Sequence, residues 1–368
     1  MTEKWSKEKA WKWYNARPWI TGCNFIPSNT RMGVELWQDY EHEEVMRQVR
    51  KEVELAASIG FNSFRMLLPF FVWQHQHDGF IQKLDDFLDL INKHGITLMP
   101  VLFNDCLIPK SKYKEPKFGK QSDPVQGYFG GEPVSPFDAA PDLELGNNVV
   151  DNVGWDPCDE PENWSEIEKY VKELGTRYGK DKRIIIWNVW NEAGNSNRLS
   201  KSAPLMEKVF GWLREVNITQ PLTADVWGAG ADHPYGWLNN PKIYHPIEEK
   251  TIELSDVVSF HFYGDYTHLL QYIDVMKKYE RPLLNTEWLH RPFRSLIQTH
   301  LPVFKEEKIG SYIFGFVNGK TQHNFVWNFI RNLPDIDTRL WMHDIFHSDF
   351  TPYDQKEIEV IKKLCLNK

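Results

Sequence analysis

Short runs of β-branched, aromatic and other apolar residues alternate along the chain with longer stretches in which apolar positions recur every three to four residues. The first pattern is that of a strand covered on both faces, the second that of a helix with one buried stripe. Eight runs have strand character: 19–27, 61–70, 96–104, 184–192, 221–227, 257–264, 282–290 and 309–317. Helical stripes lie between them, as in Phe80, Leu84, Phe87, Leu88 and Ile91, then Ile167, Tyr170, Leu174 and Tyr178, then Leu205, Val209, Trp212 and Val216. Ser165 followed by Glu168 matches a capping box opening the helix before the fourth strand, and the weakest helical signal lies around Thr251 and Leu254.

Near-continuous apolar strands that alternate with helices imply a parallel sheet buried on both sides. Eight such units predict an α/β fold of the (β/α)8 TIM-barrel type, which needs about 250 residues. The chain has 368. Much of the excess falls in 105–163, rich in Pro, Gly and Asp, which reads as a long loop between the third strand and its helix. At about 60 residues it far exceeds the usual βα connection of roughly 2–6. Such a loop is expected to wall one end of a cleft and favour short chains or chain ends. A disordered insertion is the alternative, against which stand Trp155, Trp164 and Phe137. No repeat or linker divides the sequence, so 1–368 reads as one domain. A doubly wound sheet is the rival, but Gly228 and Gly230 after the fifth strand lack the third glycine of the phosphate fingerprint, with His233 in its place.

Composition narrows the partners. The net charge of −8 comes without a long basic run, which argues against nucleic acid. The longest apolar stretch, from Met66 to Trp73, is interrupted by Pro69 and is far shorter than a bilayer span, so no membrane partner is expected. The four cysteines have no zinc-ribbon spacing and read as free thiols. The first ten residues are polar, unlike a secretory signal. Either the protein stays in the cytoplasm, the favoured reading, or a signal was removed and it is periplasmic or secreted. The oligomeric state is open. With 16 Trp, 14 Tyr and 22 Phe the chain is rich in rings, which suit either a core or a cleft that stacks on sugars.

The chemistry concentrates at two strand ends. Asn191 and Glu192 follow Trp187 and Trp190 at the end of the fourth run, and Glu287 stands beside Trp288 near the end of the seventh. A carboxylate among aromatic neighbours is costly to bury without a partner or a use. On a barrel the fourth and seventh strands are expected to face each other across the axis, so the two carboxyls could approach one bound molecule as nucleophile (Glu287) and acid/base (Glu192). The bland alternative is a pair of structural ion pairs. Arg65 on the second strand and His261 and Tyr263 on the sixth are polar where a core strand should be apolar. Arg65 and Tyr263 could hold Glu287 ionised, while a dry setting could raise the pKa of Glu192 toward neutrality. Asn104, Asp225, Trp227 and Trp288 read as cleft lining, with core packing the alternative for the tryptophans.

Asn191 and Glu192, Glu287, the segment from Gly60 to Arg65, and His261 with Tyr263 together resemble the retaining (β/α)8 glycoside hydrolases of clan A, most of all cellulase-like family 5-type enzymes. The tail around His343 and from Thr351 to Asp354 resembles the end of those domains. The resemblance implies a β-linked carbohydrate substrate, no cofactor and no metal. It also implies an arginine (Arg65) and a tyrosine (Tyr263) on the nucleophile, and a residue before the acid/base (Asn191) that binds the sugar 2-hydroxyl. The family's tryptophan near the end of strand eight has no counterpart from Phe314 to Lys320, and Trp327 lies further on.

Other readings remain. One is a noncatalytic carbohydrate-binding barrel. Another is a metal-dependent barrel hydrolase using His75 and His77, although that pair follows the second strand and no further histidine cluster completes it. Cys23 and Cys106 have no histidine placed by sequence to act as their base.

Overall fold

In the computed structural model, which describes residues 3–132, 153–228, 242–243 and 245–366, eight parallel strands close into a barrel in chain order. They are β1 (Thr21–Asn24), β2 (Ser63–Leu67), β3 (Thr97–Asn104), β4 (Trp187–Asn191), β5 (Leu222–Val226), β6 (Val258–His261), β7 (Leu283–Trp288) and β8 (Gly310–Phe314). Each lies inside a run expected from the sequence. β1 closes the ring on β8 by pairing Asn24 with Phe314. β4 and β7 are three strands apart round the ring, not directly opposed as expected, because the strand facing β4 is β8.

The outward side chains explain the apolar runs. Phe64, Leu98, Val189, Phe260 and Ile313 meet the stripes of the surrounding helices, including all five stripe residues of His77–Lys93. The barrel interior is layered. At its base Met99, Ile186, Leu284 and Tyr312 pack against Tyr14 of the N-terminal helix Lys7–Asn15. Above them comes a hydroxyl layer in which Ser63 meets Tyr312 and Thr223 meets Ser259, each at 2.8 Å. Charged groups occupy the top, where a barrel's C-terminal strand ends carry its site.

Two local expectations change. The helix Trp164–Tyr178 begins one residue before Ser165, on a 3-10 turn at Pro161–Asn163, so the capping box does not form. The weak helix at Thr251 is Pro246–Leu254, stabilised by the His245 side chain, which accepts from Ile247 N, and by a proline in its first turn. Between Asn104 and Trp164 the described residues hold short 3-10 turns and an antiparallel bridge between Pro109 and Gly154. Phe137 lies outside the described residues, as do Gly230 and His233.

One buried acid makes stability depend on pH. Glu52, on the helix His42–Ser58, is fully buried and accepts from Ser28 N at 3.1 Å and from Gln48 at 2.9 Å. Burial pushes its pKa from 4.5 up to about 7, against these hydrogen bonds. Its contribution to stability is therefore complete below 4.5 and lost as pH rises through about 7. Glu52→Gln, neutral throughout, is expected to gain up to about 3 kcal/mol relative to the wild type at pH 8–9 and little at pH 4. Urea unfolding across that range tests this, and a pH-independent difference between the two proteins contradicts it.

Candidate active site

The top layer of the barrel is one hydrogen-bonded network centred on Arg65, which is 4% exposed. Its Nη1 donates to Glu287 Oε1 at 2.8 Å and to Asn24 Oδ1 at 2.6 Å. Its Nη2 donates to Asp225 Oδ2 at 2.8 Å and to Asn191 Oδ1. A guanidinium fork can hold four acceptors in a fixed plane, which a point-charge ammonium cannot. Asp225 is fully buried and also accepts from Asn188, Ser259 and Thr286. Burial alone would raise its pKa, but the Arg65 and His261 charges and these donors hold it far below the carboxylate range. Asp225 therefore supports Arg65 from beneath and does not line the cleft as expected.

Glu287 receives a second donor from Tyr263, whose hydroxyl lies 2.8 Å from Oε2. Local irregularities aim the groups. The β6–β7 register shifts between Phe260 and His261, the β7–β8 register shifts between Asn285 and Trp288, and His261 is paired with Glu287 across the ladder. Glu192 directly follows β4 with φ 48°, a left-handed backbone that costs a non-glycine residue about 1–3 kcal/mol and persists only where its surroundings impose it. Here they do. Buried Asp105 accepts from Gly194 N at 2.7 Å and from Arg198 Nε at 2.7 Å, and Arg198 in turn pairs with Asp159, pinning the turn that carries Glu192.

Around the Glu192 carboxyl stand His261 Nδ1 at 2.7 Å from Oε1, the Cys106 thiol at 2.8 Å from Oε2, and the Asn195 amide. His261 Nδ1 also lies 3.4 Å from Glu287 Oε2, so the imidazole sits between the two acids. Burial disfavours its charge, but Glu287 and Asp225 prevail and raise its pKa to about 9. That imidazolium reverses the expected asymmetry. Burial works to raise Glu192, yet the bond and charge of His261, the thiol and Asn195 bring it below the ordinary carboxylate value. Burial lifts Glu287 above that value, with Glu192 adding repulsion that His261, Arg65 and Tyr263 do not fully offset.

The structure thus brings together Arg65, Asn191, Glu192, His261, Tyr263 and Glu287. Asn104 stands at their edge and accepts from Asn191 Nδ2 at 2.8 Å. Trp227 is half-buried beside the Glu192 turn, its indole donating to Ala193 O at 3.1 Å. Trp288 is the exception. It is fully buried on the outer side of β7, stacked on His300 and donating to Ser311, so it packs the core and cannot line a cleft. Trp327 is almost buried too, its edge against Tyr263 at 5.2 Å, while Phe314 holds the end of β8. His77 lies outside the network and bonds Glu173 and Asp78. Asn24, Cys106 and Asn195 were not singled out as site residues from sequence. Asn24, a polar residue closing an apolar strand, carried a usable signal, whereas Cys106 and Asn195 sit in turns without periodicity.

One ligand atom each from Glu192, His261 and Glu287 lies within 4.8 Å of the others, close enough to hold a cation. A cation there would meet the Arg65 guanidinium, already 2.8 Å from Glu287. The four cysteines are free thiols, and no helix among the described residues is long and apolar enough to cross a membrane.

An exo-β-1,4-mannosidase from Opitutaceae bacterium strain TAV5 superposes with a TM-score of 0.58 at 16% identity over 94% of this chain, which spans only 59% of that protein. A β-mannanase from the blue mussel Mytilus edulis superposes at 0.53 with 10% identity, covering 95% of this chain and 92% of its own. A β-glucosidase does so at 0.53 with 13% identity, covering 95% and 98%. At such identities these likenesses show the shared fold. No curated protein matches the sequence. The family model described as cellulase (glycosyl hydrolase family 5) matches residues 24–343, and the chain belongs to that family of glycosidases.

Proposed function

We propose that the protein is a retaining β-glycoside hydrolase working by double displacement, with Glu287 as nucleophile and Glu192 as acid/base. The observation that carries this is the closeness of the two carboxyls, which have oxygens within 4.8 Å of each other. A retaining pair stands about 5–5.5 Å apart, whereas an inverting pair needs about 6.5–9.5 Å to admit water. The neighbours divide the roles. Glu287 is oriented by a guanidinium and a phenol that stay protonated, as suits a nucleophile. Glu192 faces His261, whose proton can move within the working pH range.

In the first step a Glu287 oxygen bonds to the anomeric carbon while the glycosidic C–O bond breaks, and the proton that His261 holds against Glu192 passes through the Glu192 carboxyl to the departing oxygen. Water then attacks the same carbon, gives a proton to Glu192 and releases Glu287. Asn191 Nδ2 keeps one N–H near the weak acceptor Cys106 Sγ, at 3.6 Å, and can turn it to a sugar 2-hydroxyl. The glycone is a β-linked hexose of manno or gluco configuration, as in the mannosidase, mannanase and glucosidase that share the fold.

NMR of the first-formed sugar from an aryl β-glycoside tests the proposal, with the β-anomer expected first. Net inversion removes the nucleophile role of Glu287, and saturable binding without turnover favours a noncatalytic barrel. Activity that falls with a chelator and returns with a divalent ion favours the metal reading.

A further inference from the structure

Above the barrel, the segment that follows β3 is tied to the loops after β1 and β8. Gly130 N donates to Thr321 O at 2.8 Å, Gly127 N to Gln322 Oε1 at 2.8 Å, and Gln322 Nε2 back to Val125 O at 3.0 Å. Glu132 pairs with Arg31 of the β1 loop, and Gly119 exchanges two hydrogen bonds with Gln38, at 2.8 and 3.1 Å. The Phe129 ring stacks on His323 with centroids 4.9 Å apart and lies 6.3 Å from Phe314, the last residue of β8. A residue from the third loop therefore stands at the mouth of the eighth strand.

This bridge is a built element. Gln322 is 3% exposed with φ 50°, a left-handed backbone held by its contacts. Gly131 has φ 65°, and a Cβ there would meet Pro124 Cβ at 2.5 Å. A Cβ on Gly319 would meet Ser28 O at 2.0 Å, so the β8 and β1 loops touch backbone to backbone, and Lys320 N donates to Ser28 O at 2.8 Å.

Its position relative to the two carboxyls gives the bridge a consequence, which rests on the hydrolase reading above. The leaving group departs past Glu192, at the end of β4, and β8 faces β4 across the ring. The bridge, carried by the segment after β3, is anchored on the loops after β1 and β8. The wall thus stands on the glycone side of the bond to be cut. We infer that the bridge formed by Val125, Gly127, Phe129 and Gly130 with Thr321 and Gln322 ends the cleft on the glycone side, so that the enzyme removes short units from the non-reducing ends of β-linked oligosaccharides. Chains extending further on that side meet the bridge, so internal cleavage of long polymers is suppressed.

The test follows product order from β-1,4-manno- and gluco-hexaoses labelled at the reducing end, with p-nitrophenyl β-glycosides in parallel and viscosity followed on a soluble β-mannan and a soluble β-glucan. The expected early products are a monomer or dimer without label and a labelled chain shorter by that unit, with polymer viscosity nearly constant. Early label on dimers and trimers with falling viscosity, while aryl glycosides are cleaved, overturns the wall and leaves the hydrolase reading intact. Failure to cleave any glycoside overturns that reading, and the wall with it. The folded double variant Phe129→Ala/Gln322→Ala is expected to raise the ratio of internal to terminal cleavage at least several-fold, and an unchanged ratio removes the bridge as its cause.

Discussion

Glu287→Gln is expected to lower kcat/KM for aryl β-glycosides by on the order of 10⁴ to 10⁶, because an amide cannot form the bond to the anomeric carbon on which both steps depend. The protein should not lose stability with its activity. Burial and the nearby Glu192 charge already lift the Glu287 pKa, which means that the fold holds this anion at a cost, and a neutral amide removes the repulsion. An unchanged or raised Tm alongside lost turnover is the combined result expected. In the wild type, a 2-deoxy-2-fluoro-glycoside with an activated leaving group should leave a covalent sugar on the peptide that carries Glu287. Label on the peptide that carries Glu192 reverses the two roles, and a Gln variant that retains more than about a hundredth of wild-type activity removes the nucleophile assignment.

The barrel was legible in the sequence because its strands are buried on both faces, so each appears as a compact apolar run with polar residues only where it reaches the mouth. Arg65, Asn191, His261 and Glu287 stand out in that way, and all four lie in the network found there. Charge balance was not legible. Trp190 and Asn191 beside Glu192 suggest a dry, raised acid, but the partner that governs its titration is His261, 69 residues away and brought to 2.7 Å by closure of the ring. The same holds for Asp225, which falls in the same apolar run as the half-buried Trp227 just past the end of β5, yet points inward beneath Arg65. Trp288 shows the limit of adjacency. In a strand, neighbours point to opposite faces, so the residue after an inward glutamate belongs to the helix layer. The positions of Asp105, Cys106 and Asn195 depend on turns after β3 and β4, where no periodicity reports which side chain points inward.

Removing the other carboxyl should separate the two chemical steps. Glu192→Ala is expected to slow cleavage of unactivated oligosaccharides by about 10²–10⁴, since their leaving oxygen needs a proton, while dinitrophenyl glycosides keep a fast first step and stall before water attacks. Azide, which needs no base, should restore turnover of the activated substrate and yield a β-glycosyl azide. The pH profile of the wild type follows from the same network. Glu287 must be ionised to attack and its pKa lies above the ordinary 4.5, so activity falls as pH drops through that raised value. The leaving group draws its proton from Glu192 bonded to His261, which holds a proton up to about 9, so activity falls again as pH climbs toward 9. The two limbs belong to the coupled set Glu192, His261 and Glu287, and to no single member. In Glu192→Ala acting on the dinitrophenyl substrate with azide, the alkaline limb should vanish and the acid limb remain. An alkaline limb that survives this substitution, or a wild-type profile flat from pH 4 to 9, excludes Glu192 as the acid.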